Sequence, residues 1–494
     1  MKISSKLRRI SAFVACAVLL GTHVSLASTF NYKDHITSLH TKQEIEQKYN
    51  ASVDSNYPEN EYSVKPNYPS TVGSLKQVVI NDTLSRINYY RWLSGLNELT
   101  PNYDKMQRNQ KGAILLNELG QLTHTPEKPE GMSDEFYNEG FAACYYGTEP
   151  GDVYSGNVAY DNFHSLPDLI DLYIADIYNG DTSNGAVGHR LSILDPFGTK
   201  ASLGKCGNFS TLSIYYESSA EAYNAVSPVK LDVQPYYAYP TAGYFPKQFC
   251  YTNEYWSVLV PGGYYLKSSK IAVTIEYDGQ QYRVPYVQER SFFAIDFKLP
   301  DILINRLGGP NKTMPEGDFK VIVTGFKIPG NSYMNLEYTV SFFDADIPIT
   351  EIYFEEDSYN IEVGQEAKIE LFYSPAAAEV ENNEIIWSIA DESIASIDSD
   401  GVVTAKRPGT TTASVTIQGI TKTCDRIVYV DPVYELGDVD RNNIIDANDA
   451  TYVLELYKAA NYSQDDLTLG DLDFNNILDS NDASLILELY KTRE

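Results

Sequence analysis

Three features of this 494-residue sequence predict a multidomain chain: an α/β sandwich (α-β-α), then β-sandwich modules, then a small all-α unit. From about 75 to 224, apolar residues recur at helical spacing and alternate with strand-like runs. From 225 to 430 the period shortens to two, in short runs broken by turn residues. Residues 434–494 hold a doubled string of acids, each copy followed by an amphipathic helix.

The length suits several domains, and 43% hydrophobic residues suffice for buried cores. A formal net charge of −29 argues against nucleic acid or an anionic membrane as partner. In chain order, residues 1–27 read as a signal peptide. Lys2, Lys6, Arg8 and Arg9 precede an apolar run that ends in Ser25-Leu26-Ala27, with cleavage expected after Ala27. The apolar run continues past Cys16, which fits ordinary secretion better than a lipid anchor. No later stretch approaches the roughly 18 apolar residues of a membrane span, so a soluble, secreted product is expected.

Residues 28–74 are polar and rich in Pro and Asn, with one short helix expected around "TKQEIEQKYN". Cys144, Cys206, Cys250 and Cys424 show no CxxC spacing, which disfavours an all-cysteine zinc site. A Cys144–Cys206 disulfide and isolated buried thiols both remain open.

Within 75–224, "LKQVVINDTLSRINYYRWLSGLNELTPN", "QKGAILLNELGQLTH" and "LPDLIDLYIADIYN" read as helices, and "TLSIYYES" reads as a strand. Three strings stand out in order. They are Asn88-Tyr89-Tyr90-Arg91 with Gly95-Leu96-Asn97-Glu98-Leu99, then Thr123-His124-Thr125-Pro126, then Gly188-His189-Arg190-Leu191-Ser192-Ile193-Leu194-Asp195-Pro196. Together they resemble the CAP superfamily (cysteine-rich secretory, antigen 5, pathogenesis-related) in its bacterial SCP-like form. The resemblance implies an α-β-α sandwich with a cleft of two histidines and two acids. His124 and His189 match the histidines. Gly156, in Ser155-Gly156-Asn157-Val158-Ala159, stands where the family has Glu, and Asp176, in Tyr173-Ile174-Ala175-Asp176, stands in for the second acid.

Two imidazoles and one carboxylate are a donor set that suits Zn2+ or another divalent metal with an open position. Alternatively, the acid fixes the tautomer of one ring for proton transfer. His124, His189 and Asp176 are therefore the candidate catalytic residues. The bland reading keeps each histidine as a hydrogen-bonded cleft residue. His23, His35, His40 and His164 complete the six histidines; His164 is read as a loop residue ahead of a helix.

Residues 225–345 are β-like and rich in Tyr, Gly and Pro. Exposed Tyr and Trp can stack on sugar rings, but Tyr is abundant throughout (40 in all), so core packing is the favoured reading. Residues 346–430 show sandwich patterning. The stretch "WSIADESIASIDSDGVVTAKRPGTTTASVTI" resembles the bacterial Ig-like group 2 domain, with Trp387 in the core and Asp400-Gly401 as a hairpin turn. A spacer role is favoured over adhesion.

In the acid strings, Asp438, Asp440, Asn442, Asp446 and Asp449 align with Asp471, Asp473, Asn475, Asp479 and Asp482. Those are positions 1, 3, 5, 9 and 12 of a calcium loop, and position 7 adds the carbonyls of Ile444 and Ile477. Position 6 needs a left-handed backbone, and Asn443 and Asn476 tolerate one. Two Ca2+ sites are implied. After each loop, Ala450, Val453, Leu454, Tyr457 and Ala483, Ile486, Leu487, Tyr490 fall at helical spacing; neither loop shows a convincing entering helix.

The two units together resemble a type I dockerin, a module that plugs into a cohesin on a cellulosomal scaffold. The resemblance implies cohesin contact through Ala447, Asn448, Leu454 and Glu455 and through Ser480, Asn481, Leu487 and Glu488. It also implies a secreted, cell-surface cellulosome subunit of a fibre-degrading bacterium. The cleft would display a binding site for a plant-wall polysaccharide or a peptide. The alternative is a dockerin-delivered hydrolase, a peptidase or polysaccharide-active enzyme, using the cleft histidines.

Overall fold

The computed structural model describes residues 30–493 except 33–38, 53–56, 59, 146, 150–151, 162–164, 177–186, 218–235, 260–270, 291–293, 328–332, 355–357, 376–377, 379, 381–383, 419–423 and 432–433. The expected signal peptide, His23, His35 and His164 lie outside the described residues. Contacts divide the chain into two compact units: residues up to 351 with 373–379, and residues 352–372 with 380–494.

In the first unit, helix α1 (Lys42–Asn50) starts at a reciprocal capping box between Thr41 and Glu44. Helix α2 (Gln77–Leu93) stops before Gly95, whose φ of 77° suits a residue without Cβ. Helix α3 (Tyr103–Leu119) ends at left-handed Gly120. Ser133 caps α4 (Asp134–Cys144), and Ser165 caps α5 (Leu166–Ala175) with Pro167 in the first turn. A short α6 (Gly188–Ile193) follows.

A five-stranded sheet orders its strands Thr100–Pro101, Gly198–Cys206, Phe209–Glu217, Asp152–Tyr160, Gly147–Glu149. Neighbouring residues of the fourth strand in this order face opposite sides. Gly156 meets the end of α4, while the Asn157 amide donates to Ser192 of α6. On the Gly156 side, α3 approaches the sheet through Asn109, which donates to Thr211 and Ser213. Helices thus cover both faces.

Two of the strings singled out in the sequence have structural work here. Asn88 brackets Leu99 through its backbone amide and carbonyl, and the Arg91 guanidinium donates to the carbonyls of Asn97, Ile193 and Asp195. One helix thereby ties down both the loop that follows it and the segment after α6.

A six-stranded sheet runs Phe30–Tyr32, Tyr333–Phe343, Gly317–Lys327, Ala272–Tyr277, Gln280–Arg283, with Gly243–Pro246 also on Tyr333–Phe343. A four-stranded sheet runs Val287–Arg290, Ala294–Lys298, Tyr255–Leu259, Tyr237–Tyr239. Helix α7 (Asp301–Arg306) lies between strands of the two. Trp256, Phe297, Phe319 and Phe342 form an aromatic core, and Trp256 is wholly buried. Trp256 is therefore no sugar platform. Among the described tyrosines of this region, Tyr244 and Tyr286 are exposed.

The start of the polar N-terminal segment is stitched into this part: Phe30–Tyr32 pairs in parallel with Met334–Leu336. The expected boundary at 224/225 lies outside the described residues, and the segments on both sides of it share one unit. Cys144, Cys206 and Cys250 are buried free thiols, with burial pushing Cys144 up to about 12 and Cys206 up to about 11. The Cys424 side chain lies outside the described residues.

In the second unit, one sheet orders Ser358–Glu362, Cys424–Asp431, Gly409–Ile417, Ile385–Ile389, and a second orders Glu366–Lys368, Val402–Ala405, Ala395–Ile397. Ile361, Ile369, Ile394, Val403 and Ala413 fill the space between. Trp387, expected as core, is only partly buried and stacks on Phe354 at its margin. Gly401 turns the hairpin at φ 78°, and a Cβ there would meet the Trp387 ring at 2.9 Å.

The C-terminal stretch forms α8 (Ala447–Ala459), α9 (Gln464–Gly470) and α10 (Ser480–Arg493). Val439, Ile445, Val453, Leu478 and Ile486 make its core. Helix α9 departs from the expectation that neither loop has an entering helix. It opens on a Ser463–Asp466 capping box and runs only seven residues, too short for a periodic apolar signal.

Candidate functional site

The sequence singles out two places, and each is built from local backbone chemistry. His124 follows the left-handed end of α3 and is partly buried. Its Nδ1 lies 2.7 Å from the Cys144 carbonyl oxygen, so Nδ1 carries the proton. His189, in α6, has its Nδ1 2.9 Å from Asp176 Oδ1, again the donor position. The two rings are 6.4 Å apart between centroids and tilted by 34°. With both Nδ1 atoms protonated, the lone pair of each ring sits on Nε2. Burial pushes the His124 pKa below the usual histidine range, the Cys144 carbonyl opposes this, and the nearby His189 adds to it.

Asp176 ends α5 in the left-handed conformation, φ 54°. Its carboxylate accepts from the His189 amide at 3.1 Å as well as from the ring. It stands behind His189 and orients it. Among the described residues, groups of three acid, cysteine or histidine ligands with mutually close donor atoms occur only in the two C-terminal loops. A metal in the cleft would accordingly rest on two Nε2 atoms, with Asp176 behind one of them.

Gly156 is a packed position. A Cβ there would lie 2.5 Å from the Ala143 carbonyl oxygen and 2.9 Å from that of Tyr145. The strand runs against the end of α4, where no side chain fits. Asp152 lies in the same strand, with its side chain outside the described residues. Sequence reasoning missed the Cys144 carbonyl, which no residue type reveals. It also missed Tyr173 as a ring neighbour of His189, at 4.7 Å.

In the loops, the carboxylate oxygens of Asp438, Asp440 and Asp449 lie within 4.8 Å of one another, as do those of Asp471, Asp473 and Asp482. These are positions 1, 3 and 12. Asn443 and Asn476 both have φ 65°, which turns the loop back over its acids. The Asp438 carboxylate accepts from the amides of Asn442 and Asn443, and Asp471 accepts from those of Asn475 and Asn476. Asp446 caps α8, accepting from the Asn448 amide, and Asp479 accepts likewise from Asn481.

Burial and neighbouring carboxylates push Asp438, Asp440 and Asp473 above the usual carboxylate range, against the pull of backbone amides. Such crowding of hard oxygen donors suits a divalent cation of calcium's size. Ile444 and Ile477 are exposed, as are all eight residues expected at the partner face: Ala447, Asn448, Leu454, Glu455, Ser480, Asn481, Leu487 and Glu488.

No helix among the described residues is long and apolar enough to cross a membrane. Residues 350–424 match the family described as bacterial Ig-like domain (group 2). No curated protein matches the chain. Among solved structures, domains 4 and 5 of the S-layer protein SbsC align at 16% identity, over 24% of this chain and 67% of that one, with a TM-score of 0.17. Chicken VE-cadherin EC1-2 aligns at 13% identity, over 34% of this chain and 87% of its own, with a TM-score of 0.17. Drosophila N-cadherin EC1-4 aligns at 15% identity, over 38% and 47%, also at 0.17. The N-terminal part of SbsC and protocadherin gamma B7 domains 1-4 are spanned over only 42% and 46% of their lengths. The chain is a multidomain protein in which a bacterial Ig-like group 2 domain stands among further β-sheet modules and helices.

Proposed function

We propose that this protein is an exported accessory subunit of a cellulosome-like assembly. In this reading, residues 434–494 are a dockerin that folds around two calcium ions and plugs into a cohesin on a scaffold or cell-surface anchor. The CAP-like segment, residues 75–224, presents its histidine cleft to a peptide or plant-wall polysaccharide. The observation that carries the reading is the pair of matched acid clusters, Asp438/Asp440/Asp449 and Asp471/Asp473/Asp482, each with donor atoms within 4.8 Å. A solvated acidic tail has no reason to converge its carboxylates twice in one geometry. Calcium, when bound, neutralises that crowding; Asp438, Asp440, Asn442, Asp446, Asp449 and the Ile444 carbonyl would hold one ion, and their counterparts in the second loop the other.

Calorimetry against a panel of cohesins tests this. Submicromolar binding in calcium, abolished by EDTA and by Asp438→Ala/Asp471→Ala, is the expected result. No binding to any cohesin would leave the loops as a folding device only.

A second reading, a dockerin-delivered hydrolase, is favoured by one observation: His189 is tied to Asp176 at 2.9 Å, an orientation that prepares Nε2 to take a proton. Against it, the packing of Gly156 leaves no room for an acidic side chain at that position.

A further inference from the structure

We infer that Glu254, in the β-rich part of the first unit, is a positioning residue for the His189–Asp176 pair, acting through Arg190. The inference rests on the His189–Asp176 pair being the working part of the cleft, whatever the cleft binds. Arg190 follows His189 in α6 and is fully buried. Its guanidinium donates to the carbonyls of Ile174 at 2.6 Å and Ala175 at 2.9 Å, the last two residues of α5. Those carbonyls belong to the helix end, where backbone acceptors lack intrahelical donors and a cation is favoured.

The next residue is Asp176. Its left-handed backbone is unfavourable for a residue with a Cβ and persists only where surroundings impose it. The Arg190 clamp fixes the turn from which Asp176 reaches back to the His189 amide and ring.

A buried guanidinium needs a counter-charge, and the counter-charge comes from 64 residues away in sequence. Glu254 is buried at 1% exposure, and its Oε1 accepts from Arg190 Nη2 at 2.5 Å. Its other oxygen accepts from the Tyr251 amide at 3.0 Å, which fixes the carboxylate in turn. Arg190 Nη1 also donates to the Tyr255 carbonyl, and the Tyr239 ring lies 4.1 Å beneath the guanidinium. Two strands of the β-rich part therefore grip Arg190, Arg190 grips the end of α5, and α5 delivers Asp176 to His189. A buried pair serving stability alone would not need to aim at the two carbonyls before the orienting acid.

The test uses the full chain, labelled with 15N-histidine, as wild type, Glu254→Gln and Glu254→Asp. In the wild type, His189 should show a protonated, hydrogen-bonded Nδ1. In Glu254→Gln that signature should collapse to a mixture of tautomers, while His124, anchored on the Cys144 carbonyl, keeps its own. Glu254→Asp retains the charge and should recover part of the signature. A folded Glu254→Gln protein with a wild-type His189 signal would overturn the inference, as would equal loss at both histidines. If neither variant folds, thermal unfolding of the wild type decides. The His189 signature and the buried Trp256 indole resonance must be lost in one transition, and two separate transitions would refute the coupling. Because no readout involves cohesin or a cleft ligand, failure of cohesin or ligand binding leaves this inference standing.

Discussion

His124 and His189 differ in what anchors them, and the difference has a measurable consequence. His124 donates to a neutral backbone carbonyl and is partly buried beside His189, so burial disfavours its charged form and its pKa falls below 6.5. A depressed pKa in the folded chain means that the neutral ring is the stabilising form. Its contribution is present above 6.5 and is lost as pH falls through the lower folded value. Two-dimensional NMR should place the His124 midpoint below 6.5. The stability lost between pH 7 and 5 should be smaller in His124→Asn than in the wild type. A midpoint at or above 6.5 would mean that the ring is solvated and that the cleft is more open than its contacts with Cys144 and His189 indicate.

The calcium-loop reading makes its sharpest demand on one backbone position. Asn443 and Asn476 hold φ at 65°, a region that costs residues with a Cβ roughly 1–2 kcal/mol and that Asn and Gly tolerate best. Asn443→Gly should leave calcium affinity of the first loop near wild type. Asn443→Ala should weaken it several-fold, read by calcium titration calorimetry; equal behaviour of the two variants would show that the turn does not limit binding. This position was legible in the sequence, as were the helices α1 and α5 and the doubled acids, because each is written in a few neighbouring residues. The packing of Gly156 against the Ala143 carbonyl, the parallel pairing of Phe30–Tyr32 with Met334–Leu336, and the Glu254–Arg190 pair were not legible. Each joins residues far apart in the chain, and neither periodicity nor a local motif encodes its partner. Trp256 shows the same limit: in a Tyr-rich run core packing is the favoured reading over a sugar platform, but its aromatic partners Phe297, Phe319 and Phe342 come from distant strands that no local pattern names.

Two compact units, with a C-terminal end that the proposal makes metal-dependent, imply that unfolding of the whole chain is not one event. In the proposed reading calcium would bind where carboxylates converge, which among the described residues is within 438–482. By mass action a ligand stabilises the part that binds it, by about 2.7 kcal/mol at a hundredfold excess over its Kd. Without the cation, three carboxylates within 4.8 Å repel in each loop, and the core of Val439, Val453, Leu478 and Ile486 must hold them together alone. Calorimetric melting of the full chain should therefore show a transition that moves up by many degrees from EDTA to millimolar calcium. A second transition, reported by the buried Trp256 and the cleft histidines, should not move. In Asp438→Ala/Asp471→Ala the first transition should lose its calcium dependence and the second should be untouched. If calcium shifts the Trp256 transition, the metal binds in the first unit, and the cleft histidines become the first place to look for it. If it shifts neither, the loops hold no ion, and the attachment proposed for this protein loses its basis.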